Sequence, residues 1–151
     1  MRRKRAEEIE SWLSDLIKNT SIRVVLRAPG RQRDFSKVKY LRHYAKDPLL
    51  IDVASWMARY QNASTVQSLG QCLAIAAKKS NNCEAFVNRV DKILRMNQAS
   101  VMLALPGVLN RMQCVNYAEV LYFLDGWDSM DKWAQKKLAT DFYFNLEKQG
   151  E

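Results

Sequence analysis

Apolar residues recur along this chain at intervals of three and four in most segments, and that spacing predicts a succession of amphipathic helices. Between Glu7 and Lys18 it places Ile9, Leu13, Leu16 and Ile17 on one face, with Trp12 beside them. Ser21 to Asp34 is the least regular stretch: Ile22, Val24, Val25 and Leu26 suggest the start of a short strand, which Pro29-Gly30 interrupts. Helical spacing resumes at Ser36. Asp47-Pro48 has the form of an N-cap and an N1 proline opening a helix over Leu49 to Tyr60. Ser64 with Gln67, and Asn81 with Glu84, have capping-box spacing, which predicts helices over 65–79 and 83–96. In the second of these, Phe86, Val87, Val90, Ile93 and Leu94 span an arc of about 120°, leaving Arg89, Lys92 and Arg95 together on a flank. The run Ala99 to Met112 is apolar in the main and reads as a buried segment that Pro106-Gly107 kinks or splits. Tyr117, Val120, Leu121 and Leu124 mark a further helix closed by Gly126. Ser129 or Asp131 then opens a last one through Trp133, Ala134, Leu138 and Phe142. The expectation is a single all-α domain over 1–151, a compact bundle of seven or eight helices with a basic irregular segment near residues 21–35.

Composition narrows the class. Apolar residues make up 48% and charged residues 26%, the balance of a folded soluble domain. No apolar run approaches the roughly 20 residues that span a bilayer, and the charged start MRRKRAEEIE has no apolar stretch of a secretory signal behind it. Cys72, Cys83 and Cys114 are odd in number and set among apolar neighbours, which suits reduced thiols and a cytoplasmic location.

Charge changes the picture more. Residues 1–46 hold thirteen Lys and Arg against five Asp and Glu, while 47–151 hold eleven of each, so the whole formal +8 resides in the first third. Arg23, Arg27, Arg31, Arg33, Lys37, Lys39, Arg42 and Lys46 follow one another there at close intervals, interrupted only by Asp34. Such density attracts a polyanion, and with a pI near 9.5 nucleic acid is the default partner.

Catalytic constellations do not emerge. His43 is the sole histidine, no Cys or His pair has metal-ligand spacing, and Gly70, Gly107 and Gly126 are isolated rather than part of a phosphate loop. Asp125, Asp128 and Asp131 are the closest carboxylates, and they read as a turn and the acidic first turn of the last helix. Trp12, Trp56, Trp127 and Trp133 each fall within a helical apolar pattern, so they read as core residues before base-stacking platforms. The chain reads as a non-enzyme with neither cofactor nor metal.

From Ser68 onward, the order of motifs resembles the CasB family, the small subunit of the type I-E CRISPR Cascade complex. Ser68-Leu69-Gly70 matches a Ser-Leu-Gly helix start, and Val87 to Arg95 a helix with basic residues and a leucine ending. Val101 to Leu109 matches a leucine-rich helix, and Tyr117-Ala118 through Leu121, Leu124 and Trp127 a helix ending at tryptophan. Trp133-Ala134 and Asp141-Phe142-Tyr143 match the closing helix. Towards the N-terminus the agreement is looser, through Trp12 and Leu26-Arg27-Ala28. The chain departs from the family in carrying Leu103-Ala104-Leu105-Pro106-Gly107 where arginines are frequent, and Asn116 where an acidic residue is usual.

The resemblance implies an all-helical, non-catalytic subunit that sits as a pair with a second copy of itself along the crRNA-bound backbone subunits, near the large subunit. There it would touch the crRNA–DNA hybrid and the displaced DNA strand and stabilise the R-loop. With the charge pattern, it points to Arg27, Arg31, Arg33, Lys37, Arg89 and Arg95 as phosphate contacts, and to Lys78 and Lys79 as weaker ones. Two other readings compete: a stand-alone helical DNA- or RNA-binding regulator, and a helical protein–protein adaptor whose basic segment docks on an acidic partner.

Overall fold

A computed structural model describes residues 1–27 and 47–148. Among them are eight helices: α1 (Arg3–Leu16), α2 (Thr20–Arg27), α3 (Pro48–Tyr60), α4 (Leu69–Lys79), α5 (Cys83–Leu94), α6 (Gln98–Leu109), α7 (Tyr117–Asp125) and α8 (Trp133–Glu147). Two short strands, β1 (Ala63–Ser64) and β2 (Cys114–Val115), pair in parallel, Ala63 opposite Cys114 and Ser64 opposite Val115. The all-α expectation holds. Helices α4 and α8 pack along each other, as do α1 and α7, α2 and α3, and α3 and α7. Their inner faces meet in one core that includes Leu13, Leu26, Val53, Leu109, Leu121, Leu124, Trp127 and Phe142, each almost wholly buried.

Several boundaries differ from the sequence reading, each for a local physical reason. Residues 20–27 form a helix, not the start of a strand: Ile22 and Leu26, four apart, are buried, while Val24 is 60% exposed. The β-branched run masked a helical period. The rest of the expected irregular segment, and the helical spacing from Ser36, lie outside the described residues. Helix α1 begins at Arg3, so the basic start belongs to the helix itself.

Asp47 caps α3 as expected, accepting from the Leu49 N–H at 3.1 Å ahead of Pro48. Ser64, by contrast, belongs to β1. The cap of α4 is Ser68, whose Oγ accepts from the Gln71 N–H, and α5 is capped by Asn82 rather than Asn81. Helix α8 starts at Trp133, whose N–H donates to Asp131; Ser129 lies before it and instead accepts from the Trp133 indole N–H.

Helix α6 runs unbroken through Pro106. Its apolar sequence is only half buried: Val101, Leu105, Val108 and Leu109 face the core, whereas Leu103 is 87% exposed. The expectation of a wholly buried run fails because the helix presents only one stripe to its neighbours. Asn62 fastens the end of α6, its amide N–H donating to the carbonyls of Leu109 (3.0 Å) and Met112 (2.6 Å) while its oxygen accepts from the Tyr117 hydroxyl.

The start of α4 gathers three other helices. The first N–H groups of a helix have no partner within it, and here they are buried. Leu69 N–H donates to Glu119 Oε1 of α7 at 2.6 Å, and the other oxygen of Glu119 pairs with Arg3 of α1. Ser68 donates to Asp141 of α8, and Asn116, which caps α7, donates to the Gln67 carbonyl at 2.9 Å. Gly70 permits the approach of α8, since a Cβ at this position would lie 2.5 Å from Asp141 Oδ2 and 2.8 Å from its Cβ. Ser68-Leu69-Gly70 therefore acts as cap, donor and clearance in turn.

Removing these contacts should destabilise the fold measurably. Glu119→Gln is expected to cost about 2 kcal/mol, the worth of a buried charge-assisted hydrogen bond, and Gly70→Ala about 1–3 kcal/mol through overpacking against Asp141. Urea unfolding of each variant, followed by circular dichroism, checks both values; a loss below about 0.5 kcal/mol for both, the range of ordinary surface changes, would refute the assigned role.

Candidate nucleic-acid interface

The candidate cations among the described residues, with the cations beside them, fall into three groups, each placed by a helix end or flank. The first lies where α2 and α3 finish. Arg27 is the last residue of α2; its Nε–H donates to the Ala58 carbonyl of α3 at 2.8 Å, while Arg59 donates to the Arg27 carbonyl at 3.4 Å. Guanidinium groups at two C-terminal turns complement the carbonyl ends of both helices, so Arg27 is part of the packing as well as the surface. Arg59 did not figure among the sequence candidates. Its signal was its place in the last turn of α3, outweighed by the denser basic stretch before it. Arg31, Arg33, Lys37 and His43 lie outside the described residues.

The second group is the flank of α5. Arg89, Lys92 and Arg95 are exposed, as the periodicity predicts. Arg95 pairs with Asp91 one turn earlier at 3.1 Å, and Asp91 also accepts from the Tyr143 hydroxyl at 3.4 Å. Arg95 is nevertheless 78% exposed, and an exposed i,i+4 pair holds it weakly. Among the described residues Arg89 and Lys92 have no carboxylate partner.

The third group is the end of α4, where two adjacent lysines diverge. Lys78 Nζ donates to the Lys148 carbonyl at 2.6 Å, beyond the end of α8. Lys79 Nζ donates to Gln113 Oε1 at 3.2 Å, ahead of β2. Arg111, also absent from the sequence candidates, lines the same cleft as Lys79 and donates to the Gly107 carbonyl at 2.7 Å. The fold thus brings Lys79 to Arg111 and Arg27 to Arg59, leaves Lys78 at the end of α8, and keeps Arg89 and Arg95 on α5.

The remaining candidate chemistry resolves into structure. Asp128 accepts from the Gln98 N–H at 2.8 Å and so helps cap α6, Asp131 accepts from the Trp133 N–H just ahead of α8, and Asp125 is the last residue of α7. Among the described residues, no three His, Cys, Asp or Glu side chains converge as a metal site would require. Trp56 and Trp127 are buried, Trp127 donating to the Met96 carbonyl at 2.8 Å, while Trp12 and Trp133 are half-buried against the core. Trp133 stacks so close to Gly126 that a Cβ there would meet its ring at 2.1 Å.

The three cysteines are reduced, but two of them are neighbours, which their sequence separation concealed: Cys114 Sγ lies 3.8 Å from Cys72 Sγ. Burial, followed by the adjoining Cys114, pushes the Cys72 thiol from 9.0 up to about 12. The buried Tyr117 hydroxyl is likewise raised, by burial first and then by Tyr60. No known protein family, no curated protein and no solved structure matches this chain.

These two groups give the fold a dependence on alkaline pH. Both stay protonated in the folded protein at pH values where the unfolded chain has lost the proton. Their contribution is therefore complete below pH 9.0, the ordinary value of the Cys72 thiol, and is lost as pH rises towards 12. Urea midpoints measured upward from neutral pH should fall through this window, and Cys72→Ala should make the fall shallower. A midpoint insensitive to pH throughout would contradict the burial of both groups.

Proposed function

We propose that this chain is a non-catalytic helical subunit of a type I-E CRISPR surveillance complex, binding nucleic-acid backbone and stabilising the R-loop, including the displaced strand. The observation that carries this reading is the distribution of positive charge. All of the net +8 lies in residues 1–46, and the helical body adds exposed cations bonded to neutral oxygens or to nothing among the described residues, as at Lys79, Arg111, Arg89 and Lys92. The family resemblance from Ser68 onward supplies the biological setting.

A basic surface without a base-reading element suits that setting. An R-loop exchanges one duplex for another of similar stability, and contacts to the backbone tip the balance. Because the target sequence changes with each guide, phosphate contacts are the useful kind. The outward stripe of α6, with Ala99 and Leu103 exposed beside the half-buried Met102, supports a subunit seated against another protein over a regulator acting alone.

The test is target-DNA binding by the guide-RNA complex, reconstituted with and without this chain across a salt series. Omission should weaken binding and strand opening. Replacing Arg89 and Arg95 together with alanine should lower affinity and reduce the salt slope by about 2, with stability unchanged within about 0.5 kcal/mol. If omission changes nothing while the isolated chain binds DNA tightly, the regulator reading replaces this one. Loss of protein partners with unchanged DNA affinity would favour the adaptor.

A further inference from the structure

A cleft of about 630 Å³ opens between α4, the turn into α5 and the segment leading to β2. Its floor is apolar, with Phe86 and Cys72 buried beneath it. Lys79 and Arg111 line it and are exposed, as are the amides of Asn81 and Gln113. No carboxylate lines it, whereas Glu119 and Asp141 line one neighbouring cleft and Glu10 lines another two. Lys79 donates to the side-chain Oε1 of Gln113 and Arg111 to the backbone carbonyl of Gly107, so both cations rest on neutral acceptors. Two like charges sharing a concavity without an acid repel each other, and a bound anion relieves that repulsion while gaining charge-assisted hydrogen bonds.

The shape of the cleft defines the anion further. Its volume falls in the range of small-molecule sites and far exceeds a lone phosphate. An apolar floor beneath exposed amides suits a heteroaromatic ring with polar edges, and amides can both donate to and accept from such edges. We infer that this cleft holds one nucleotide unit, its phosphate on Lys79 and Arg111 and its base over the apolar floor between Asn81 and Gln113. A free nucleotide and an unpaired nucleotide of a strand share this chemistry. The inference takes the strand as the source, and in that respect it rests on the nucleic-acid reading above.

Cys114 lines the cleft and is half-buried, while Cys83 is exposed at the start of α5 outside its lining, so alkylation reports occupancy with an internal control. The full chain is treated with iodoacetamide in the presence of an oligodeoxythymidylate of about ten nucleotides or of thymidine 5′-monophosphate, and the modified peptides are quantified by mass spectrometry. The strand should slow Cys114 modification about fivefold and leave Cys83 unchanged. Lys79→Ala with Arg111→Ala should abolish the protection, Lys79→Arg should retain it, and strand affinity by fluorescence anisotropy should fall about tenfold in the double variant. Strand binding without protection of Cys114, or with protection that survives the double variant, would overturn the cleft assignment and leave the nucleic-acid reading standing. Equal protection by the mononucleotide at the same concentration would overturn the strand as source. Neither binding nor protection would overturn both the cleft and nucleic-acid binding by the chain on its own.

Discussion

Leu69 opens α4 inside the protein, where its amide N–H has no water and no intrahelical acceptor. The Glu119 carboxylate supplies one at 2.6 Å, and because it is itself buried it needs the Arg3 guanidinium on its other oxygen. One unsatisfied donor therefore fixes the placement of α7 relative to α4 and recruits α1. Arg3 also lies over the Tyr122 ring at 4.6 Å, so two residues one turn apart on the same face of α7 hold it. Ser68 and Gly70 bring α8 to the same point from the other direction through Asp141. Three other helices thus meet at the first turn of α4, around Ser68-Leu69-Gly70, and the cations on α4 and α5 are carried on this framework.

Much of this was legible in the sequence, and the failures are instructive. Helix α5, with its one clean apolar face, and the Asp47-Pro48 start of α3 were readable because local spacing and local capping chemistry decide them, whereas the one-face pattern read for α7 gives way to burial on nearly every side. Ile22 to Leu26 misled because β-branched residues fit a strand pattern as readily as a short helix packed on α3. The capping residues were displaced by one at Asn82 and by four at Ser68, since several hydroxyl and amide side chains compete in each turn and backbone geometry selects among them. Glu119 carried no local signal at all. A glutamate three residues after a cap reads as an ordinary first-turn acid, and its burial follows only from where α4 begins.

The surface shows the same division. Arg89 and Arg95 stand exposed where periodicity predicts, because a flank is a local property of one helix. The meeting of Lys79 with Arg111, and of Cys72 with Cys114, is a property of the tertiary fold and invisible in spacing. Lys78 and Lys79, neighbours in the chain, diverge because successive helical positions are about 100° apart. One is drawn to the end of α8 and the other to the rim of a cleft.

The smallest element of regular structure has a kinetic consequence. The two-residue ladder of β1 with β2 and the Asn62 side chain join parts of the chain about fifty positions apart, as between Asn62 and Met112 or Ala63 and Cys114. Everything from α4 to α6 lies inside the loop they close. Helices in that loop gain their hydrogen bonds locally, whereas the ladder gives nothing until the whole excursion has turned back on itself, and closing it carries a loop entropy that grows only slowly with length. The ladder therefore contributes little to the formation of individual helices and gains only once the excursion between its strands has closed. The excursion folds towards a shape whose ends meet, and the last strand contact locks the register between its two ends.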